Sequence, residues 1–134
     1  MKWGLVLFAL TPLLFGSPQT HPSIASGAKE TSAQHLHSML AKNAKVLVID
    51  VRAPEEYYES HIPQALSIPL ERLPKMIRQL HIPKDTVIVT VCDHGGRSSR
   101  AALELQKMGY KTSSFCRIDS WKKGGYNLQE PESK

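Results

Sequence analysis

The stretch that decides the fold is Asp85-Thr86-Val87-Ile88-Val89-Thr90-Val91-Cys92-Asp93-His94-Gly95-Gly96-Arg97-Ser98. Its first half is a β-branched apolar run, a pattern typical of a buried parallel strand. From Arg97 onward, apolar residues recur at helical spacing and a glycine follows them: Ala101, Ala102, Leu105, Met108 and then Gly109. The sequence therefore predicts a strand, a short loop and a helix, with Cys92 at the carboxyl end of the strand.

This placement gives Cys92 a chemical role. The first turn of a helix has unpaired backbone N–H groups and a partial positive charge, and a nearby arginine adds to the effect, so a thiolate is favoured there. The two glycines leave room for a substrate and allow positive φ angles. We predict that Cys92 is a nucleophile in a substrate-binding loop formed by Asp93, His94, Gly95, Gly96, Arg97 and Ser98.

The charged residues of this loop each have two interpretations. Arg97 can donate to an oxyanion or hold the loop closed. Asp93 would disfavour a neighbouring thiolate, so we predict that its side chain points to solvent or pairs with a basic residue. His94 could donate to an anionic substrate when protonated, although a solvated loop histidine is the simpler interpretation. Cys92 could also be a small buried hydrophobic residue, but the Gly-Gly-Arg that follows favours a reactive site.

The loop resembles the active loop of rhodanese-type sulfurtransferases, because four residues separate Cys92 from Arg97 and a serine follows the arginine. Cysteine phosphatases place one residue more between the two. Other stretches are similar to the same family over about residues 31 to 128: Val46-Leu47-Val48-Ile49-Asp50-Val51-Arg52, Ser60-His61-Ile62-Pro63-Gln64-Ala65-Leu66-Ser67-Ile68-Pro69, Ile118-Asp119-Ser120-Trp121 and Gly124-Gly125-Tyr126. Residues other than glycine stand at positions where the family has glycine: Ser60, Gln64, Cys116 and Arg117.

The resemblance implies a three-layer α/β fold, with a central parallel sheet of about five strands and helices on both faces. It also implies a sulfurtransferase. Cys92 would take the outer sulfur of a small anionic donor such as thiosulfate, and the resulting persulfide would pass that sulfur to cyanide or a thiol. No metal or organic cofactor is required. Asp50, Arg52 and His61 are expected to support the site structurally rather than to react.

Two other functions stay open on the sequence. The replaced glycines are compatible with a rhodanese-like binding module that has no turnover. Cys116 is compatible with a thiol redox protein, provided that it reaches Cys92, but a disulfide needs Cα atoms within about 7 Å and spacing does not decide that distance. A buried, inert thiol is our expectation for Cys116.

The rest of the chain predicts alternating helices and strands. We expect strands over residues 46–49, 66–68, 87–91 and 112–115, and a helix over residues 73–80. Thr31-Ser32-Ala33-Gln34 has the form of a capping box and predicts a helix that continues to about Ala41. Since parallel strands end at one edge of a sheet, Asp50, Arg52 and Cys92 are expected to meet there. Trp121 is expected to be a core anchor.

The first 25 residues predict a targeting segment. An apolar stretch after Lys2, too short for an ordinary spanning helix, is typical of a secretory signal peptide, and a polar lead-in follows it. Candidate cleavage points are Gly16, Ser17 and Ala25. We therefore expect one domain over residues 26–134 in the periplasm or outside the cell; an uncleaved leader would instead tether it to a membrane.

Charge limits the classes of partner. The chain has 17 Lys and Arg against 12 Asp and Glu, a formal net charge of +5, which suits small anions. Nucleic acid is not expected, because basic residues form no stripe with interleaved aromatic residues. His35 and His37 diverge on the predicted helix and no Cys-x-x-Cys occurs, so no metal site is predicted. We expect a monomer without membrane contact once the leader is removed.

Overall fold

The structure, a computed structural model, describes residues 23–131, so the predicted leader lies almost wholly outside it. The described strands form one parallel sheet in the order β2-β1-β3-β4. They are β1 (Val46–Asp50), β2 (Leu66–Ser67), β3 (Val87–Cys92) and β4 (Ser113–Arg117). The helices are α1 (Ala33–Ala41), α2 (Pro54–Glu59), α3 (Leu73–Leu80), α4 (Gly96–Lys107) and α5 (Ile118–Lys123), and a 3-10 turn (Leu70–Arg72) precedes α3. The predicted α/β class is confirmed.

The sheet has four strands within residues 23–131, against the five or so that we predicted. The fifth position, beside β4, is a single parallel bridge between Glu30 and Phe115. A backbone hydrogen bond from Ala28 to Ala25 (3.3 Å) makes a turn before this bridge, and Ser32 starts a helix just after it. Only one residue is therefore left to pair with β4.

The two faces of the sheet have separate cores because side chains alternate along a strand. One face packs against α1 and α5. Its core includes Val89, Val91 and Cys116 from the strands and Trp121 from α5. The other packs against α3 and α4 and includes Ile88 and Cys92. Trp121 is buried and its Nε1 donates to the Asn127 carbonyl at 2.9 Å, which confirms the predicted core anchor.

Predicted boundaries are accurate for most elements and wrong at two. Helix α3 covers the predicted residues. Helix α1 is capped by Ser32, whose Oγ accepts from the His35 N–H at 3.0 Å, whereas the predicted capping box would start at Thr31. The Thr31 hydroxyl is instead bonded to the Ser114 hydroxyl on β4. Strand β4 starts one residue later than predicted and extends to Arg117.

The fold brings the carboxyl ends of β1 and β3 together. Asp50 is paired with Val91, and the Val51 N–H donates to the Val91 carbonyl at 3.0 Å. The segments that follow these two strands therefore leave the sheet side by side, as open parallel sheets require of their binding edge. Among the described helices, none is long and apolar enough to cross a bilayer.

Candidate active site

The loop after β3 closes around the sulfur of Cys92. The backbone N–H groups of Gly95 and Ser98 point to Sγ at 3.2 and 3.3 Å, and the Ser98 hydroxyl lies 3.1 Å from it. Helix α4 begins at Gly96, so these donors belong to its N-terminus. The exposed fraction of Cys92 is 1%, which places the sulfur on the floor of the loop. The structure thus places Cys92 where the sequence predicted it, at the carboxyl end of β3 and before the N-terminus of α4.

Gly95 alone of the two loop glycines has a positive φ. Its φ is +101°, and a Cβ there would lie 3.0 Å from Ile24 Cγ1 and 3.2 Å from the Arg117 side chain. Gly96, for which we predicted the same freedom, is instead the first residue of α4 and has no positive φ. The turn therefore depends on glycine at position 95 for both its backbone angle and its close contacts.

Arg97 holds the loop against α2. Its Nη1 and Nη2 donate to the two carboxylate oxygens of Glu56 at 2.6 and 3.2 Å, and Nη2 lies 3.6 Å from Asp93 Oδ2. The hydrogen bonds from Arg97 lower the pKa of Glu56 from 4.5 to about 2, against the opposing effect of burial. Of the two roles predicted for Arg97, the geometry shows the one that closes the loop.

Asp93 is paired on both sides with arginine, as predicted. Arg52 Nη1 lies 3.2 Å from its Oδ1, and Arg97 approaches its other oxygen. Burial raises the pKa of Asp93, and the hydrogen-bonded Glu56 carboxyl raises it further. The negative charge next to Cys92 is thus compensated by two guanidinium groups rather than by solvent.

The predicted supporting residues lie behind Asp93. Arg52 Nε and Nη2 donate to the carboxylate of Asp50 at 3.0 and 2.9 Å, and Nη2 also donates to the Ser60 carbonyl at 2.7 Å. Both charged side chains are buried. The His61 ring stacks on Tyr57 and its Nδ1 lies 2.9 Å from the Tyr57 carbonyl. These contacts link β1 to the loop and to α2, which is a structural role.

His94 is bound to helix α5 rather than merely solvated. Its Nδ1 pairs with Asp119 Oδ2, and the Asp119 N–H donates to the Asp93 carbonyl at 3.1 Å. The imidazole is 40% exposed. The sequence offered two interpretations of this histidine, and the structure shows a third, in which it fixes the loop to the start of α5.

Cys116 cannot meet Cys92 in this fold. The strand register pairs Cys116 with Val91, and the two thiols belong to the cores on opposite faces of the sheet. Cys116 is fully buried, and burial raises the pKa of its thiol to about 11. The expected burial of Cys116 is confirmed, and the two thiols are separated by the sheet, so the redox alternative has no second cysteine within reach of Cys92.

Sequence reasoning missed several residues that hold the loop. Asp119 lies in a stretch that resembles the family and Glu56 lies between two such stretches, but nothing in the sequence assigns their partners. Ile24 and Ala25, which we placed in the lead-in, contact the site: Ile24 lies over Gly95, and the Ala25 N–H donates to Ser99 Oγ at 2.7 Å. No periodic pattern near Ile24 could have shown this.

Comparison with known proteins agrees with the fold and the loop. The family model of the rhodanese-like domain matches residues 32–123, so the chain belongs to the rhodanese-like domain family. A sulfurtransferase of Allochromatium vinosum is 35% identical over 105 residues, which cover 77% of this chain and 96% of that protein. A thiosulfate sulfurtransferase of Escherichia coli is 36% identical over 62 residues, 46% of this chain and 60% of that protein.

A crystal structure supports the same fold. The thiosulfate sulfurtransferase of Pseudomonas aeruginosa superposes with a TM-score of 0.72 at 21% identity, over 80% of this chain and 21% of that one. At that identity the likeness concerns the fold alone. The described strands and helices thus have the arrangement of a rhodanese-like domain, and Cys92 lies between β3 and α4 of that fold.

Proposed function

We propose that the protein is a rhodanese-type sulfurtransferase that carries sulfane sulfur as a persulfide on Cys92. The observation that carries this proposal is the turn around Sγ, where two backbone N–H groups and the Ser98 hydroxyl converge at the N-terminus of α4. Such donors stabilise an anion without reorganising during the reaction. The relatives named as sulfurtransferases support the same activity.

The first half-reaction loads the sulfur. The Cys92 thiolate attacks the outer sulfur of thiosulfate, a new S–S bond forms at Sγ, and the bond to the sulfonate sulfur breaks with its electron pair leaving on sulfite. The product is a Cys92 persulfide anion. The loop N–H groups and the partial positive charge of the α4 N-terminus are placed to stabilise that charge.

The second half-reaction transfers the outer sulfur of the Cys92 persulfide to an acceptor. Cyanide or a thiolate attacks the outer sulfur, the S–S bond to Sγ breaks, and its electron pair returns to Cys92 as thiolate. The acceptor leaves as thiocyanate or as its own persulfide. Each step exchanges one sulfur bond for another, so no electron donor, metal or organic cofactor takes part.

The assay of choice is thiocyanate formation from thiosulfate and cyanide. The Cys92→Ser variant should lose turnover by at least about a thousandfold, because it lacks the nucleophile. Cys116→Ala is the matched control: it should retain turnover while losing about 1 kcal/mol of stability through a small cavity. Turnover in Cys92→Ser, or equal loss in both variants, would overturn the assignment.

We also propose that the protein acts outside the cytoplasm, in the periplasm or secreted. The support is the apolar stretch after Lys2 and the polar lead-in that follows it. Cell fractionation with mass measurement of the extracted protein tests this. A shortened chain in the periplasmic fraction is expected, a full-length chain in the membrane fraction indicates the tethered form, and a full-length cytosolic chain contradicts the proposal.

A further inference from the structure

We propose that the mouth of the active loop selects sulfur acceptors without net negative charge, and that thiols bearing an ammonium group are its preferred class. The inference rests on the proposed transfer through a Cys92 persulfide and concerns its second half-reaction. It is carried by the way in which charged side chains are paired around the loop.

Three arginines beside the loop are already bound to carboxylates. Arg52 binds Asp50 and Asp93, and Arg97 binds Glu56 and Asp93. The Arg117 side chain passes beside Gly95, and its Nε donates to Glu30 Oε2 at 2.7 Å. An incoming anion therefore meets none of these three arginines as an uncompensated cation.

Carboxylates outnumber arginines in this ring. The described residues that bind the loop or its arginines include three arginines, Arg52, Arg97 and Arg117, and five carboxylates, Asp50, Asp93, Glu56, Glu30 and Asp119. The five carboxylates outnumber these three arginines by two, and by one when Arg100, exposed on α4 three residues after Arg97, is counted. Most of these carboxylates are partly exposed at the mouth.

Part of the chain's positive charge lies at the other edge of the sheet. The net charge is +5, yet Lys45, Lys84 and Lys111 lie just before β1, β3 and β4, at the amino end of the sheet. That edge is opposite to the one with Cys92. These three lysines therefore add no positive charge to the mouth of the loop.

The chemistry of discharge makes local charge decisive. A thiolate acceptor must approach a persulfide anion, so two negative charges meet within the ring of carboxylates. An ammonium group on the acceptor cancels the charge of its thiolate and is attracted by the ring, whereas a carboxylate on the acceptor adds repulsion. Thiosulfate, a dianion, is by the same reasoning a donor that loads only at high concentration.

The test separates loading from discharge. The whole protein is loaded with excess thiosulfate, desalted and weighed by intact mass spectrometry, and the persulfide is then discharged at pH 8 by cysteamine, 2-mercaptoethanol or 3-mercaptopropionate. Each rate is divided by the rate of the same thiol with a small neutral disulfide, which removes differences in nucleophilicity. At low salt, cysteamine should exceed 3-mercaptopropionate about tenfold, and near 1 M salt by less than about twofold.

A pair of variants assigns the effect to the ring. Glu30→Gln leaves Arg117 without its carboxylate and should reduce the cysteamine preference by about threefold. Asp85→Asn, an exposed carboxylate just before β3, is the matched control and should leave the preference unchanged. Equal normalised rates at low salt, or equal preference in Glu30→Gln and wild type, would overturn the inference alone. Absence of any adduct after loading would overturn the proposed function, and this inference with it.

Discussion

Gly95 is the residue on which the geometry around Cys92 depends most. Its φ of +101° is unfavourable for other residues, and an added Cβ would contact Ile24 and Arg117 at 3.0 and 3.2 Å. We expect Gly95→Ala to reduce stability by about 1–3 kcal/mol and turnover by a larger factor than its stability loss explains, because the N–H groups move away from Sγ. Urea unfolding and thiocyanate formation measure the two effects.

Gly125 offers a matched control for this substitution. Its φ is also positive, +78°, but nothing lies within 4 Å of the position that a Cβ would take. Gly125→Ala should therefore lose stability, because alanine disfavours the positive φ, without a change in turnover. The same loss of turnover in both variants would contradict the role given to Gly95.

Glu56 makes stability depend on pH. Its pKa is about 2 in the folded protein and 4.5 ordinarily, so its stabilising effect is complete above about pH 4.5 and is lost as the pH falls towards 2. Because the Glu56 and Arg97 side chains are about a third exposed, solvent screens the pair, and we expect Glu56→Gln to cost about 1 kcal/mol at pH 7. Urea unfolding of both proteins at pH 7 and pH 3 should show a smaller difference at pH 3. A difference that is constant or grows towards acid would refute this role.

The pairing of Asp93 was predictable, whereas that of Glu56 was not. A carboxylate beside a thiolate disfavours it, so chemistry led to the expectation that Asp93 points to solvent or has a basic partner, and the structure shows the second. Glu56 lies 41 positions from Arg97, and only the side-by-side ends of β1 and β3 bring the two segments together. Local sequence contains no information on such a distance.

At the scale of elements, the segment Ile24–Glu30 is an unexpected part of the site. It lies outside the stretch that matches the family, yet it bonds Ser99 through Ala25 and Arg117 through Glu30. Its apolar end, Ile24, is 43% exposed and lies over Gly95. Residues 24–30 therefore contact the turn after Cys92, the first turn of α4 and the end of β4.

This position makes Ile24 a positioning residue. We expect Ile24→Ala to lower turnover severalfold with little change in stability, since the side chain is largely exposed but contacts the turn, and Ile24→Val to restore most of the turnover. Leu80→Ala, at a side chain that is 46% exposed at the end of α3, is the control. Steady-state kinetics and thermal unfolding distinguish the two variants. Equal turnover in both would show that Ile24 does not position the turn.

Strands and helices with strong sequence patterns were predicted well, whereas the strand at the edge of the sheet was not. The β-branched runs of β1 and β3 indicated buried central strands, and the glycine after α4 indicated its end. The fifth strand failed because its position is shared between a turn and a helix cap. At a sheet edge, neighbouring turns and caps compete with pairing, and pattern alone does not settle the competition.

At the scale of the whole molecule, the two edges of the sheet carry different charged residues. The carboxyl edge collects Cys92 and a ring of paired acids and arginines, while lysines precede the strands at the opposite edge. The sequence could predict the fold and the positions of Cys92, Asp50 and Arg52 at one edge of the sheet, because each depends on a local pattern or a resemblance. The pairing of the loop's arginines with carboxylates could not be predicted, since a net charge does not say where the charges lie.

Whether Cys92 accepts sulfur is tested most directly by intact mass spectrometry of the reduced protein after incubation with thiosulfate, beside the Cys92→Ser variant. If Cys92 accepts sulfur, the wild-type protein alone gains about 32 Da, and cyanide reverses the gain. No gain in wild type at any thiosulfate concentration, or the same gain in Cys92→Ser, would contradict this role of Cys92.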